Sequence, residues 1–270
     1  MNPCPGASAH AFQTCRLYYR IGDQNMFKRI RKHLGREKQE NNSGTVPMNA
    51  DDPLPQSIDK VKEKLEEFFS DCSDYIQREI VCGEDNDVRI LVAHIDGFVD
   101  KKVLNQDIIR PILDYFSCSD RPYRAKYVYQ LVKSCIISNN EIEEIESMRQ
   151  AVYRIVSGDA ILFVNGSKRA LAVGVKSPHG RQVAEPDTEV SIRGSREGFV
   201  ENLSTNMILI RKRIKNPNLK FEIIQLGTQT NTDICLCYIK GIANDEIVNE
   251  VRRRIMKIKT DAILDTGYIE

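Results

Sequence analysis

The sequence lacks the long apolar runs, the signal segment and the cysteine pattern of a membrane-spanning or secreted protein. Its longest apolar stretches have about five residues, as in 160–164, whereas a membrane helix needs about 20. The first 25 residues contain no apolar core of a signal peptide. Eight cysteines in 270 residues are too few for a disulfide scaffold, and their spacing shows no Cys-x-x-Cys pair. We expect a reducing, cytosolic environment, with Cys235 and Cys237 buried on one face of a strand.

The common catalytic signatures are also missing. The sequence has no G-x-x-x-x-G-K-[ST] phosphate loop, no G-x-G-x-x-G turn and no G-x-S-x-G elbow. The four histidines are far apart, so their spacing gives no zinc site, and we interpret His94 as a packed core residue. We therefore expect no enzyme, no cofactor and no metal. One alternative stays open, because residues 193–198 have the glycines and arginines of an anion-binding nest. They would fit an enzyme acting on a phosphorylated compound, but no base or nucleophile accompanies them.

Positive and negative charges nearly balance over the whole chain but are unevenly distributed along it. The chain has 39 Lys and Arg against 38 Asp and Glu, a net charge of +1, which argues against a globally basic nucleic-acid binder. Residues 1–50 alone carry eight basic and three acidic side chains. We predict a disordered basic leader over 1–56 and hypothesise that Met26 is the true start. The basic stretch 27–34 fits a solvated tail or a contact with anionic lipid.

What the sequence does contain is a regular alternation of helical and strand patterns. Together they predict an α/β fold of the mixed α+β kind. The first predicted helix begins at Ser57. Further helices are predicted over 101–116, 123–138, 141–156, 199–214 and 244–258. The predicted hairpins are 75–82 with 88–95, 160–164 with 170–175 through a two-residue Asn165-Gly166 turn, and 219–226 with 232–239, followed by a short strand over 262–265.

An internal repeat suggests how these elements are organised. A shift of 144 residues places Ile-Asp-Gly-Phe-Val-Asp at 95–100 over Ile-Lys-Gly-Ile-Ala-Asn at 239–244. Each copy reads as a strand, a glycine, a helix-capping acid or amide, and a helix. We predict two similar small subdomains, each a mixed sheet built from hairpins with flanking helices. They cover 57–178 and 199–270, and a charged linker over 179–198 joins them.

Glutamate and arginine alternate densely from 185 to 213. Helix-dipole effects and exposed ion pairs account for the charges near the ends of the predicted helix. They do not account for the charges that precede it in a loop rich in glycine and proline, where arginine–carboxylate pairs can fix a junction. The candidate junction residues are Glu185, Glu189, Arg193, Arg196, Glu201, Asn206, Arg211 and Arg213.

This segment also carries a family resemblance. It reads Glu-Pro-Asp-Thr-Glu at 185–189, Arg-Gly-Ser-Arg-Glu-Gly-Phe-Val-Glu-Asn-Leu at 193–203, Thr-Asn at 205–206 and Leu-Ile-Arg-Lys-Arg-Ile at 209–214. Together with 159–166 and 261–270, it resembles the A subunit of the spore germinant receptors, the GerA family. The resemblance covers 57–270. It departs from the family at Ser195, where a proline is usual.

The resemblance implies a receptor of the spore inner membrane, with a soluble N-terminal domain on the cytosolic side followed by a membrane domain. It implies assembly with receptor B and C subunits and other A subunits, and a response to a nutrient amino acid or sugar that releases ions. We interpret the chain, which stops at Glu270, as lacking the membrane domain. The candidate junction residues would serve assembly and signal relay. The alternative is a domain that binds the nutrient itself, between its two subdomains.

Overall fold

A computed structural model describes residues 52–83, 87–117, 125–136, 141–177 and 197–269. The helices are α1 (Ile58–Phe68), α2 (Lys101–Val103), α3 (Arg110–Ser117), α4 (Ala125–Leu131), α5 (Met148–Val156), α6 (Leu203–Arg213) and α7 (Asp245–Ile255). Two π-helical segments, π1 (Leu104–Ile109) and π2 (Val132–Ile136), continue α2 and α4, and a short 3-10 helix covers Thr266–Tyr268. The strands are β1 (Tyr75–Cys82), β2 (Val88–Ile95), β3 (Ile142–Ile145), β4 (Ala160–Val164), β5 (Ala170–Val173), β6 (Leu219–Leu226) and β7 (Thr232–Ile239).

Five strands form an antiparallel sheet in the order β1-β2-β4-β5-β3, which lies in the larger of two compact units, 45–222 with 237–240. The central strands β2 and β4 are apolar along nearly their whole length, because both faces of the sheet are covered. One face packs on α1 and α5, and the opposite face on α2, π1, α3, α4 and π2. The unit therefore has three layers with two apolar cores.

The smaller unit, Ile223–Leu236 with Gly241–Glu270, contains the turn end of the β6–β7 hairpin and α7. Its core is small. Leu226, Ile255 and Ile263 are buried, and the partly buried residues packed on them are Ile224, Ile234, Ile258 and Ile269. The small core leaves this unit with little buried apolar surface of its own.

The fold class predicted from the sequence, mixed α/β with antiparallel hairpins and flanking helices, is confirmed. The strand bounds 75–82, 88–95, 219–226 and 232–239 agree with the prediction. The compact units place α6 with the larger unit, whereas the predicted second subdomain begins at 199. The predicted linker, 179–198, lies outside the described residues except for its last two. The described part of the chain contains no helix long and apolar enough to cross a membrane.

The predicted helix over 141–156 is wrong in its first part. Residues Ile142–Ile145 form β3, the edge strand that pairs antiparallel with β5. The spacing of Ile142 and Ile145 fits a helical period in sequence, but pairing with β5 decides the conformation. The helix begins only after Ser147, whose hydroxyl accepts a hydrogen bond from the backbone N–H of Gln150 at 3.3 Å.

Two other local predictions are wrong. The predicted strand 262–265 is irregular chain. Residues in and just before it form hydrogen bonds with the loop of the β6–β7 hairpin instead of pairing with a strand. There the N–H of Gln229 donates to the carbonyl of Asp261 at 2.8 Å. A turn does form at Asn165-Gly166, where the N–H of Ser167 donates to the carbonyl of Val164 at 3.0 Å and Gly166 has a φ of 77°, but the connection between β4 and β5 spans residues 165–169 rather than two residues.

The internal repeat is visible in the backbone. β2 ends at Ile95 and β7 at Ile239, and each strand is followed by a glycine with positive φ, 79° at Gly97 and 83° at Gly241. In each copy a side chain then caps the following helix. Asp100 accepts from the N–H groups of Lys102 and Val103, and Asn244 accepts from the N–H of Glu246.

Candidate functional site

The eight candidate junction residues divide into four that lie outside the described residues and four in or near α6. Glu185, Glu189, Arg193 and Arg196 belong to the first group, so their predicted pairing stays a prediction. Glu201, Asn206, Arg211 and Arg213 belong to the second. The structure places these four in separate environments and does not join them into one network.

Arg211 is the centre of a buried ion pair. Its side chain is fully buried, and it faces Asp74, which is 7% exposed. Nε donates to Oδ2 of Asp74 at 2.6 Å and Nη2 to Oδ1 at 2.8 Å, a side-on pair of parallel hydrogen bonds. Nη2 also donates to the carbonyl of Leu219 at 3.3 Å, and the guanidinium carbon lies 4.9 Å from the centre of the Phe221 ring. The pair therefore holds α6 to the residue before β1 and to the start of β6.

A second buried cation lies beside this pair. Lys220 is 1% exposed, and its Nζ donates to the carbonyl of Phe68, in the last turn of α1, at 2.8 Å. Nζ is also 3.8 Å from Sγ of Cys72. Burial lowers the pKa of Lys220 and raises the pKa of Cys72, because each environment disfavours the charged form. This cluster, Asp74, Arg211, Lys220, Cys72 and Phe221, is called the buried charge cluster below.

The backbone around the cluster is fixed as well. Cys72 and Phe221 form an isolated parallel bridge, in which the N–H of Ser73 donates to the carbonyl of Phe221 at 2.9 Å. The N–H of Phe221 donates in turn to the carbonyl of Asp71 at 3.1 Å. The cluster thus connects segments about 140 residues apart in sequence through both side chains and backbone.

The other described candidates are more exposed and have simpler roles. Asn206 is half-buried and clamps the backbone of Val200, with Nδ2 donating to its carbonyl at 2.7 Å and Oδ1 accepting from its N–H at 2.8 Å. Arg213 and Glu197 are about half exposed and 3.7 Å apart, a weak surface pair. Glu201 is exposed just before the Asn202 cap. Asn206 therefore fixes the chain as it leads into α6.

Sequence reasoning identified Arg211 but missed its partners. Asp74 directly precedes one predicted strand and Lys220 is the second residue of another, and at both places an isolated charge normally indicates a solvent-facing side chain. No spacing rule connects residues 74 and 211, since the contact exists only after the chain has folded. The usable signal was a charge next to apolar residues in Leu-Lys-Phe at 219–221, where a strand enters the core.

The interpretation of His94 as a core residue is confirmed. It is 6% exposed, and burial lowers its pKa to about 4, so the ring is neutral at pH 7. Its charged neighbours are Asp96, which opposes this shift, and Lys101, which adds to it. Over the described ranges, no group of three His, Cys, Asp or Glu side chains is placed to hold a metal ion.

The smaller unit contains a cavity of about 610 Å³. It lies between the β6–β7 loop and the chain after α7, and it mixes apolar walls with hydroxyl, amide and charged groups. Its lining residues are Gln225, Leu226, Gly227, Thr228, Asn231, Ile258, Lys259, Thr260 and Asp261. Oγ1 of Thr228 donates to Oδ1 of Asp261 at 3.1 Å, which orients the carboxylate at the rim. The chemistry of this lining suits a small polar molecule with both charged and neutral groups.

Comparison with known proteins identifies the wider group. Residues 63–270 match the family model described as Bacillus/Clostridium GerA spore germination protein. The chain is 35% identical over 216 residues to spore germination protein KA of Bacillus subtilis strain 168, covering 80% of this chain and 39% of that protein. It is 30% identical over 227 residues to spore germination protein B1 of the same strain, covering 83% of this chain and 44% of that protein. The chain thus spans about two fifths of the curated relatives it matches.

A solved structure agrees with the fold. The crystal structure of the N-terminal domain of the A subunit of the Bacillus megaterium spore germinant receptor GerK3 matches with a TM-score of 0.61 and 27% identity. The match covers 80% of this chain and 77% of that one.

Proposed function

Because this chain belongs to the Bacillus/Clostridium GerA family of spore germination proteins, we propose that it is the N-terminal domain of a nutrient germinant receptor A subunit. It takes no part in catalysis. It assembles with receptor B and C subunits and with other A subunits, and it relays the nutrient signal to a membrane channel that releases ions during germination. The family match, together with the structural match to a receptor A-subunit domain, supports this role.

The buried charge cluster is the observation that carries the relay role. A signal relay needs segments that move together. The Arg211–Asp74 pair, with side chains 0% and 7% exposed, joins α6 to the residue before β1 and to the start of β6. Separating the two side chains would leave unpaired buried charges, which is energetically costly. The pair therefore favours one relative position of α6 and the segments it contacts. Five of the other seven junction candidates, Glu185, Glu189, Arg193, Arg196 and Glu201, precede α6 in the chain. A displacement of this part of the chain would therefore be passed to the core of the larger unit.

Placement follows from the same role. We place the domain on the cytosolic side of the spore inner membrane, held there by the membrane domain that accompanies it in the receptor.

The experiment that tests the assembly and relay role is charge reversal within the junction segment. We expect Arg193→Glu in a receptor that contains this chain to slow nutrient-triggered germination of spores at least tenfold. The matched control is Arg149→Glu, an exposed arginine on α5, which we expect to germinate as wild type. Melting of both purified variant chains checks that the fold is intact. Normal germination of the Arg193→Glu spores would remove the relay role from this segment.

The cavity of the smaller unit favours a second candidate function, binding of the nutrient by this domain. Lys259 and Asp261 at its rim offer a cation and an anion to the two charged groups of an amino acid, and Thr228 and Asn231 offer neutral partners to a sugar. We expect a thermal shift of the chain with one of a panel of amino acids and sugars, which Asp261→Asn abolishes. No shift with any of them, in a folded sample, would leave nutrient recognition to another subunit.

A further inference from the structure

Exposed apolar side chains are concentrated in the smaller unit. Eleven large apolar residues are exposed over the described part of the chain, and seven of them lie in this unit. They are Ile223, Ile242, Ile247, Val251, Met256, Leu264 and Tyr268. Four apolar residues of the unit are buried, Leu226, Val248, Ile255 and Ile263, so the unit exposes more large apolar side chains than it buries. Such an excess is typical of a surface that another molecule covers.

Helix α7 carries the continuous part of this surface. Val248 and Ile255 are buried, each 8% exposed, and Ile255 packs in the core of the unit. Ile247 and Val251, four residues apart and therefore on one side of the helix, are 40% and 36% exposed. The apolar side of α7 is therefore wider than the part that the unit buries. Its exposed part, Ile247 and Val251, is one helical turn long.

The internal repeat shows that the same local unit is covered elsewhere. Ile242 corresponds to Phe98 under the 144-residue shift. Phe98 is 8% exposed and packs near Gly158, whereas Ile242 is 78% exposed. The second copy thus presents a position that the fold of the first copy keeps out of water. We call Ile242, Ile247 and Val251 the open face.

The charges at the two ends of α7 indicate what covers this face. The first turn carries Asp245 and Glu246, and in the described part of the chain neither has an ion-pair partner. The last turn carries Arg252, Arg253 and Arg254, of which Arg253 and Arg254 donate to Glu250 and Arg252 donates to Asn249. The helix is therefore acidic at its start and basic at its end, and Arg254 follows Val251 by three residues, on the same side. A second α7 in antiparallel orientation is complementary to it at both ends.

We propose that the open face binds the open face of a second copy of this chain, with the two α7 helices antiparallel about a two-fold axis. Ile247 of each copy packs against Val251 of the other. Arg254 of each copy reaches Asp245 and Glu246 of the other. A parallel arrangement would bring the two arginine ends together, so charge selects the antiparallel one. This inference rests on the proposed assembly role and names one of its surfaces.

The test is the oligomeric state of the full 270-residue chain by sedimentation velocity over a range of concentrations. We expect a monomer–dimer equilibrium that Val251→Glu weakens at least tenfold. The matched control is Tyr127→Glu, an exposed apolar position of the larger unit at 62%, which leaves the association constant unchanged. Circular dichroism of each variant checks that the fold is unchanged.

A charge exchange identifies the orientation. We expect Glu246→Arg and Arg254→Glu each to weaken the dimer severalfold, and the double variant to restore most of the association.

Three results would overturn the proposal. The first is a chain that stays monomeric at all concentrations. The second is a dimer that Val251→Glu leaves unchanged, which would place the interface elsewhere. The third is a monomer that co-sediments with anionic phospholipid vesicles and loses this binding with Val251→Glu, which would assign the open face to lipid. None of these results bears on Arg193→Glu in spores, so the failure of this surface and the failure of the proposed function are distinguishable.

Discussion

The two copies of the strand–glycine–helix repeat have the same local structure and opposite surroundings. In the first copy, Phe98 is covered, and the helix that follows Asp100 enters one of the two cores of the larger unit. In the second copy, Ile242 is exposed, and α7 covers a core of three buried residues. A local motif therefore fixes a turn and a helix start, while the surrounding layers decide whether its apolar residues stabilise the fold or remain available for binding.

The same contrast extends to the polar groups. The larger unit buries the Arg211–Asp74 pair, which is far from solvent and needs both partners. The smaller unit keeps its ion pairs on the surface, where Arg253 and Arg254 bond Glu250 and lower its pKa to about 2. Substitutions are therefore expected to affect stability in the larger unit and association in the smaller one.

The largest effect is expected at the buried charge cluster. Arg211→Met leaves Asp74 buried and unpaired, so we expect a loss of about 3–5 kcal/mol in the free energy of unfolding, measured by urea denaturation. The control on the same helix, Arg213→Met, removes only a surface pair and should change stability by less than about 0.5 kcal/mol. Replacing both partners, Arg211→Met with Asp74→Leu, should recover much of the loss. A mild effect of Arg211→Met alone would show that the pair does not hold α6.

The repeat itself offers a matched pair of substitutions. Phe98→Ala should cost about 3 kcal/mol, because a buried ring is removed and the space it leaves is only partly refilled. Ile242→Ala, at the corresponding position, should change stability by less than about 0.5 kcal/mol in dilute, monomeric protein. Equal losses at the two positions would contradict the contrast between the copies.

The buried His94 predicts a pH dependence of the larger unit. Its pKa is about 4 in the folded chain and near 6.5 when unfolded, so between these values the unfolded chain binds more protons. Stability should therefore fall as the pH falls through this window, by roughly 2 kcal/mol between pH 7 and pH 5. His94→Leu should remove most of this dependence. Urea denaturation of both proteins at the two pH values checks it, and parallel pH profiles would contradict it.

The smallest effects are expected at the two helix caps. Asp100 accepts two backbone hydrogen bonds, at 2.9 and 3.2 Å, and Asn244 accepts one, at 2.8 Å. We expect Asp100→Ala to cost about 1–2 kcal/mol and Asn244→Ala about 0.5–1 kcal/mol. Thermal unfolding of the two variants measures both losses of stability. A larger loss for Asn244→Ala than for Asp100→Ala would contradict the prediction.

Local patterns in the sequence predict the helices and strands of this fold better than they predict the contacts between them. The hairpin strands 75–82 and 88–95 follow from apolar residues bounded by turn residues, and the helix starts follow from capping side chains. The helix predicted over 141–156 fails at Ile142 and Ile145, because the same residues serve an edge strand once β5 is present. Arg211 was predicted on charge density alone. Its partner Asp74 was not, because 137 residues separate them and only the tertiary fold brings them together.

Nutrient-triggered germination of spores whose receptor carries Val251→Glu or Tyr127→Glu tests the central claim most directly, namely that the second copy of the repeat is left open for receptor assembly. Both substitutions put a carboxylate at an exposed apolar position, so neither is expected to unfold the chain. We predict that Val251→Glu spores lose most of their nutrient-triggered ion release while Tyr127→Glu spores respond as wild type. A normal response of the Val251→Glu spores would contradict the claim.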